Sequence, residues 1–556
     1  MSVVTATILS EGQALAPTCE VVAIDIRREV DRLPTATLTL VDGDQATREF
    51  TVSRAATFAL GRKIEIKLRY EGESTPDWTV FKGCVVRHGL EVGLGQSLLH
   101  VELKDAAVGL TLGRRSRVFR DKKDAEVLKT LIQEAGLKAG KLDTTALKHP
   151  ELVQYDCTDW DFALARADAN GLHAVVEDGT VSFRAIELTG SASKRFELGL
   201  DEVFDLEVEA NGTSQLKGWE GFAWNVKDQK ATAVAKAKSF SLKQGNFKSD
   251  SVASALGARP ETIAHVVAVD PQEIQAGLDA RLRRNRLAFV RGRIAVRGSG
   301  TFRLLDLIEL AGLGERFNGA TAVTGLRHRV DHAGWRTDLQ FGLPADPFAR
   351  RTADLQAMPA AGLLPAVSGL QIGVVSKFEA DPDKQLRVKV QIPGLGSEAG
   401  ALWARLAAPE AGKDRGFYFR PEPGDEVVVG FLNDDPRQPV ILGALFSSKN
   451  TVPKAFEAPA EKNPHKGLVT RGGTTVHFLD ADKPSLRIET PAHQTVVLDD
   501  VKQLIQLKDQ HGNEITMDSN GIKLKSPKNL VLEITGKVDI DAKGNVTIKG
   551  AAVDVQ

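Results

Sequence analysis

Residues 521–550 read GIKLKSPKNLVLEITGKVDIDAKGNVTIKG, and an apolar pair returns in them every eight positions: Ile522 and Leu524, Leu530 and Leu532, Val538 and Ile540, Val546 and Ile548. Eight residues make one short strand and a turn. Lys528, Gly536 and Gly544 close the units, Asn529, Lys537 and Asn545 open the next, and the intervening outward positions carry Lys, Asp, Glu and Thr. One octad cannot bury its own apolar side. A solenoid wound from one chain needs about three octads per coil, so these repeats complete little more than one coil and leave their core open. Other copies of the chain must supply the missing faces. The simplest arrangement winds three chains around one axis, each strand paired above and below by a strand of another subunit, which also removes exposed edges. The pattern therefore predicts a homotrimeric, intertwined triple-stranded β-helix with these apolar pairs in its core. At about 4.8 Å per strand the regular octads advance the needle by roughly 20 Å. After Ile548 the pair returns as Val553 and Val555, one position out of phase. That break predicts that Val553 and Val555 are covered by a separate tip protein, because exposed apolar residues and unpaired strand edges at a needle's end need a cap.

Working back towards the N-terminus, TTVHFLD, SLRIET, QTVVLDD, LIQLKD and NEITMD are further short strands, so residues 476–556 read as one β-helical spike. Residues 449–475, rich in Pro and Lys, read as a linker. Before it, residues 368–448 supply five strands (GLQIGVVSKF, QLRVKVQIPGL, ALWARLAA, GDEVVVGFLN, QPVILGALF), the number expected of a small OB-type barrel. Residues 346–367, rich in Ala and Pro, read as another linker. Residues 1–345 read as two β-barrels, about 1–105 and 201–345, with an α/β insertion at about 106–200. In that insertion Val127, Leu128, Leu131 and Ile132 share one helical face, a short helix follows near 161–170, and Asp178-Gly179 marks a hairpin. Asp270-Pro271 with Glu273 starts a helix running to about Asn285. The fold class is mainly β and multi-domain.

Composition narrows the function. Charged residues make up 26% of the 556 residues and the net charge is -1, so no basic field speaks for nucleic acid or an anionic membrane. Cys19, Cys84 and Cys157 are odd in number and far apart, against a disulfide framework or a zinc knuckle. The start, MSVVTATILSEGQ, lacks a basic segment leading into an apolar core, and no run of eighteen apolar residues occurs. The chain is therefore expected to be made in the cytosol without a cleaved signal, and to meet a membrane only when something pushes it there.

Candidate chemistry is sparse. His328 and His332 lie four apart in a strand-like context, without helical ligand geometry, and read as surface or interface residues. His511 lies in the turn DQHGNE and reads as solvent-facing. Asp434 and Asp435, followed by Pro436, read as a turn between strands and not as an acid/base pair. Arg281, Arg283, Arg284 and Arg286 read as an exposed helix face, solvated or touching a neighbouring subunit. GLGQ, GLGE and GLGS lack the strand-to-helix context and the lysine of a phosphate loop. No nucleophile, base and orienter set can be named, so the expectation is no catalytic, cofactor or metal residue.

Longer motifs carry a resemblance. Residues 369–375 (GLQIGVV), 403–406 (WARL) and above all 421–446 (PEPGDEVVVGFLNDDPRQPVILGALF) resemble the OB-fold domain of the VgrG family, the tip proteins of type VI secretion systems, and related spikes of contractile phage tails and extracellular contractile injection systems. Residues 81–83 (FKG), 115–119 (RSRVF), 153–162 (VQYDCTDWDF), Arg166, Gly171-Leu172 and 317–328 (FNGATAVTGLRH) resemble the hub of the same family. The resemblance implies a homotrimeric, phage-hub-like double barrel of pseudo-sixfold symmetry. It further implies a ring of tail-tube (Hcp-like) protein on the hub, baseplate proteins around it, a PAAR-type tip protein at the far end and effector cargo. The octads stop at Gln556 with no lysozyme insert and no toxin extension, which departs from many relatives. A structural, membrane-puncturing spike driven through the target envelope by sheath contraction is the implied function. A tail-associated cell-wall hydrolase and a glycan-binding trimeric tail fibre are the alternatives.

Overall fold

Strict alternation builds the first half of the molecule. In Val21–Glu29 the buried positions are Ile24, Ile26 and Arg28; in Thr35–Val41 they are Ala36, Leu38 and Leu40; in Lys63–Tyr70 they include Ile64, Ile66 and Leu68. Period two puts one side of each strand inward, and with Phe58, Phe81, Leu99 and Leu103 these residues form one core. A second core gathers Ile294, Val296, Leu326, Leu339 and Phe341 from the strands Val290–Arg297, Gly319–Asp331 and Gly334–Phe341. The computed structural model describes residues 3–44, 47–74, 76–93, 95–396, 401–456 and 461–555. Contacts divide the chain into two units, Met1–Ala357 and Met358–Gln556.

The two barrels expected in the first unit share one 14-stranded sheet. Gly319–Asp331 is long enough to pair with Gly334–Phe341 on one side and with Val21–Glu29 on the other, where His328 stands opposite Ile26. One sheet thus serves two cores.

The insertion packs a third core. Asp124–Glu134 buries Val127, Leu128, Leu131 and Ile132, and Asp159–Ala169 begins where the Thr158 hydroxyl accepts from the Asp161 amide. The hairpin His173–Glu177/Thr180–Arg184 turns through Asp178 and Gly179, both with positive φ, as a tight two-residue turn requires. Helix Pro271–Leu287 starts on Asp270, whose side chain accepts from the Gln272 amide.

Three expectations are corrected here. Arg284 and Arg286 are buried, not solvated: Arg284 reaches Asp168 at 2.6 Å, and Arg286 reaches Asp250 at 2.6 Å and the Leu216 carbonyl at 2.9 Å. Only Arg281 and Arg283 fit the partly exposed reading, lying over Trp219 and Phe240. His328 is buried, with Nδ1 at 2.9 Å from the Thr337 hydroxyl, because its strand is central to the sheet and not at an edge. The segment expected as a first linker is anchored at its start, where Phe348 is buried in the insertion's core and its amide donates to Asp168.

In the second unit Gln371–Val375, Val388–Gln391, Leu402–Leu406, Pro439–Ala444 and Glu426–Phe431 close a five-stranded barrel around Val375, Val390, Ala404, Val427, Val429 and Ile441. A seven-stranded antiparallel meander follows, from His465–Val469 to Gly521–Lys525. Its first strand lies inside the segment expected as a second linker; residues 457–460 of that linker lie outside the described residues.

Candidate functional site: an uncovered apolar sheet face

Each of the last six strands of the meander is five residues long with apolar residues at its second and fourth positions: Thr475–Leu479, Ser485–Glu489, Thr495–Asp499, Leu504–Lys508, Glu514–Asp518 and Gly521–Lys525. The register aligns them. One column runs Phe478, Leu486, Leu498, Ile505, Met517, Ile522, each opposite the next across the ladder. The other runs Val476, Ile488, Val496, Leu507, Ile515, Leu524. Paired residues point to the same side of a sheet, so one face is apolar throughout.

Among the described residues this face is left partly exposed throughout. Phe478 is 47% exposed, Leu498 42%, Ile505 47% and Met517 43%. The opposite face is mostly polar and charged, with His477, Arg487, Val497, Gln506, Thr516 and Lys523 in one column. There Glu489 accepts from Arg487 at 2.9 Å and lies 3.0 Å from His493, and these partners, Arg487 first, hold its carboxyl well below the usual range. Such exposed pairs contribute about 0–1 kcal/mol each. Each Leu or Ile that passes from exposure to full burial contributes about 1.5–3 kcal/mol. Covering the apolar face therefore dominates the energetics of this region.

The octads extend the face. Ile522 and Leu524 lie on the last strand of the meander, which pairs with Glu514–Asp518 of its own chain, so the first octad is not paired on both sides by other subunits as expected. Beyond it the described residues 526–555 contain no strand. Backbone bends recur at 527–528, 535–536, 543–544 and 551, the eight-residue rhythm of the sequence. Leu530, Leu532, Val538, Ile540, Val546 and Ile548 are 57–73% exposed, and Val553 and Val555 are 56% and 87% exposed. These segments carry apolar residues at strand spacing and, among the described residues, no backbone–backbone hydrogen bonds, which is what a strand looks like when its neighbours belong to another molecule.

Sequence reasoning missed the columns from Val476 to Met517. The signal was present as apolar residues two apart in VHF, LRI, VVL, IQL and ITM, but connections of unequal length hide any fixed period.

Elsewhere the ionisable clusters join elements. Asp124, almost fully buried, accepts from Arg166 at 2.6 Å and from Asn170 at 3.0 Å and lies 3.0 Å from His149; Arg166 also reaches Glu273 at 2.9 Å. Burial raises the Asp124 pKa, but Arg166 and then His149 and Asn170 outweigh it, and the carboxyl stays below its usual range. This network ties both insertion helices to Pro271–Leu287. Asp435 is held by Arg437 at 2.6 Å in its turn, and His511 is exposed. Among the described residues no group of three His, Cys, Asp or Glu is arranged to hold a metal ion, and no helix is long and apolar enough to cross a membrane.

Comparison with known families matches this division of the chain. Residues 1–332 match the Alg8 N-terminal domain, residues 371–446 the type VI secretion system/phage-baseplate injector OB domain, and residues 485–556 the phage baseplate V C-terminal trimerisation domain. The chain belongs to the VgrG-type spike family. Among relatives, the type VI secretion system spike protein VgrG1c of Pseudomonas aeruginosa is 24% identical over 454 residues, 75% of this chain and 59% of its own length. VgrG1b of the same organism is 32% identical over 214 residues, 36% of this chain and 28% of its own. The chain thus spans between about a quarter and three-fifths of the length of these VgrG relatives. A solved E. coli component of the type VI secretion system, 13% identical, aligns over 79% of this chain and 99% of its own with a TM-score of 0.41.

Proposed function

We propose that this chain is the homotrimeric hub and spike at the tip of a contractile injection apparatus, a mechanical component and not an enzyme. The observation that carries the proposal is the pair of uncovered apolar columns, Val476 to Leu524 and Phe478 to Ile522, which the octads prolong. Three copies packed face to face around an axis bury these columns, and the octads then wind into a triple-stranded β-helix with Leu530, Leu532, Val538, Ile540, Val546 and Ile548 inside. Axial load is then borne by strands hydrogen-bonded to their neighbours, so pulling one loose breaks bonds on both sides.

In this reading the N-terminal unit presents a ring to a tail-tube (Hcp-like) protein within the baseplate, and Val553 and Val555 seat a PAAR-type tip protein. Cargo rides on the assembly, and the target envelope is met mechanically. The chain is made in the cytoplasm and leaves it as part of the particle. Binding of the tip protein should fail when the chain is truncated after Lys549; unchanged binding removes Val553 and Val555 from that role.

Native mass measurement tests the trimer. The wild type and Asp541→Asn should both run as trimers, since surface substitutions stay within about 0.5 kcal/mol. Ile540→Asp should dissociate, because three carboxylates at one level of the axis oppose burial and one another at several kcal/mol each. An Ile540→Asp protein as trimeric and heat-resistant as Asp541→Asn refutes the needle.

A further inference from the structure

The barrel of the second unit carries two separate kinds of exposed apolar surface. On its outer wall Leu370 is 65% exposed, Ile372 44% and Leu442 53%. The three are contiguous. Ile372 pairs with Val428 and stands on the next strand to it, and a Cβ added to Gly430 would lie 3.5 Å from both Leu370 and Leu442, so these two leucines flank a glycine that leaves a shallow seat between them. The second surface is a projection. Ala411–Gly412 pairs with Arg415–Gly416 around the turn Lys413-Asp414, and the irregular segment leaving this hairpin carries Phe417, Tyr418 and Phe419, which are 56%, 66% and 61% exposed. Three consecutive exposed aromatics are a large apolar area for one short segment.

Symmetry connects the two. A threefold ring is closed by heterologous contacts, in which one patch of each subunit meets a different patch of the next. A unit that joins such a ring needs two unlike, complementary surfaces. This barrel has a projecting aromatic segment and an apolar wall with a seat at Gly430, and it precedes the uncovered needle face in the same compact unit. The needle's proposed threefold brings three such barrels together at its base, so the barrel surfaces continue that interface.

We propose that in the assembled protein Phe417, Tyr418 and Phe419 of one subunit seat on the Leu370, Ile372 and Leu442 wall of the next, so that the barrels clasp one another in a ring. The occupant of the wall is a second copy of this chain. This rests on the trimer proposed above. The clasp makes the base of the needle a cooperative collar and not three barrels on independent tethers.

A photo-reactive benzophenone amino acid at position 418 tests it in the full-length chain, assembled from equal parts of nitrogen-14 and nitrogen-15 chains so that crosslinks between subunits are recognised by mass. The same probe at position 524 reports the needle. The expected result is an intersubunit crosslink from position 418 to the peptide containing 370–375 or 439–444, lost at least tenfold in Leu442→Glu, together with an intersubunit crosslink from 524 in both backgrounds. Crosslinks from 418 only within a subunit, or to another region, while 524 still links subunits, overturn the clasp and leave the trimer standing. Absence of intersubunit links from both positions overturns the trimer, and the clasp with it.

Discussion

The hub sheet and the needle sheet are built by the same alternation yet end in opposite states. In the hub, Ile26, Leu38, Ile66 and Leu99 point into a core that the chain itself closes, and each is fully buried. In the needle, Ile488, Leu498 and Ile505 occupy equivalent alternate positions and are 36%, 42% and 47% exposed. The difference lies in topology. The hub sheet is long and wraps its strands with helices and a second half-sheet from later in the sequence. The needle is a plain meander whose successive strands are neighbours, so none of its own strands returns to cover its face. A sheet that folds this way has a stable ladder but an unfinished core, and its stability depends on chain concentration.

The largest test separates these states directly. Leu498→Asp puts a carboxylate in the middle of an apolar column, and the trimer should be lost while the hub's cooperative unfolding transition is kept. Native mass together with denaturant unfolding reads both; a trimeric Leu498→Asp protein would remove the distinction. Phe81→Ala is the mirror image. It should cost the hub about 3–5 kcal/mol without changing the number of subunits, as chemical denaturation and native mass show.

A step down in size, Asp124→Asn leaves Arg166 buried with one carboxylate fewer and should cost about 3 kcal/mol, with unfolding of the hub and not of the needle moving to lower denaturant. The hub should also sense pH. Burial first, then the nearby Arg28 and Arg303, push the His328 pKa down from 6.5 to about 3. Between those values the unfolded chain takes up a proton that the folded hub refuses. The contribution of His328 is therefore complete above about 6.5 and is lost as pH falls, by up to about 1.4 kcal/mol per pH unit. Unfolding at pH 7 and pH 5 should show this loss in the wild type and a smaller one in His328→Gln; equal slopes would remove His328 from the account. The smallest effect belongs to the polar side of the needle, where Lys523→Gln should change neither subunit number nor stability by more than about 0.5 kcal/mol.

Several elements were legible from residue order alone because their cause is local. The period of eight after Ile522 is repeated by the backbone bends, the Asp178-Gly179 hairpin follows from two residues that tolerate positive φ, and the helices at Asp124, Asp159 and Pro271 begin at their caps or acidic first turns. The sequence by itself determined strand alternation, turn positions and the presence of a surface that one chain cannot bury. Only the tertiary structure decided which alternate residues line up. Val476 and Leu524 share a column through five intervening registers set by loops of different length, and no fixed spacing encodes that. It also decided that Arg284, Arg286 and His328, which look exposed when charge and polarity are read one residue at a time, lie buried against partners on other elements. Local propensity depends on neighbours in sequence; burial depends on what returns from a distance, and that information exists only once the chain has closed on itself.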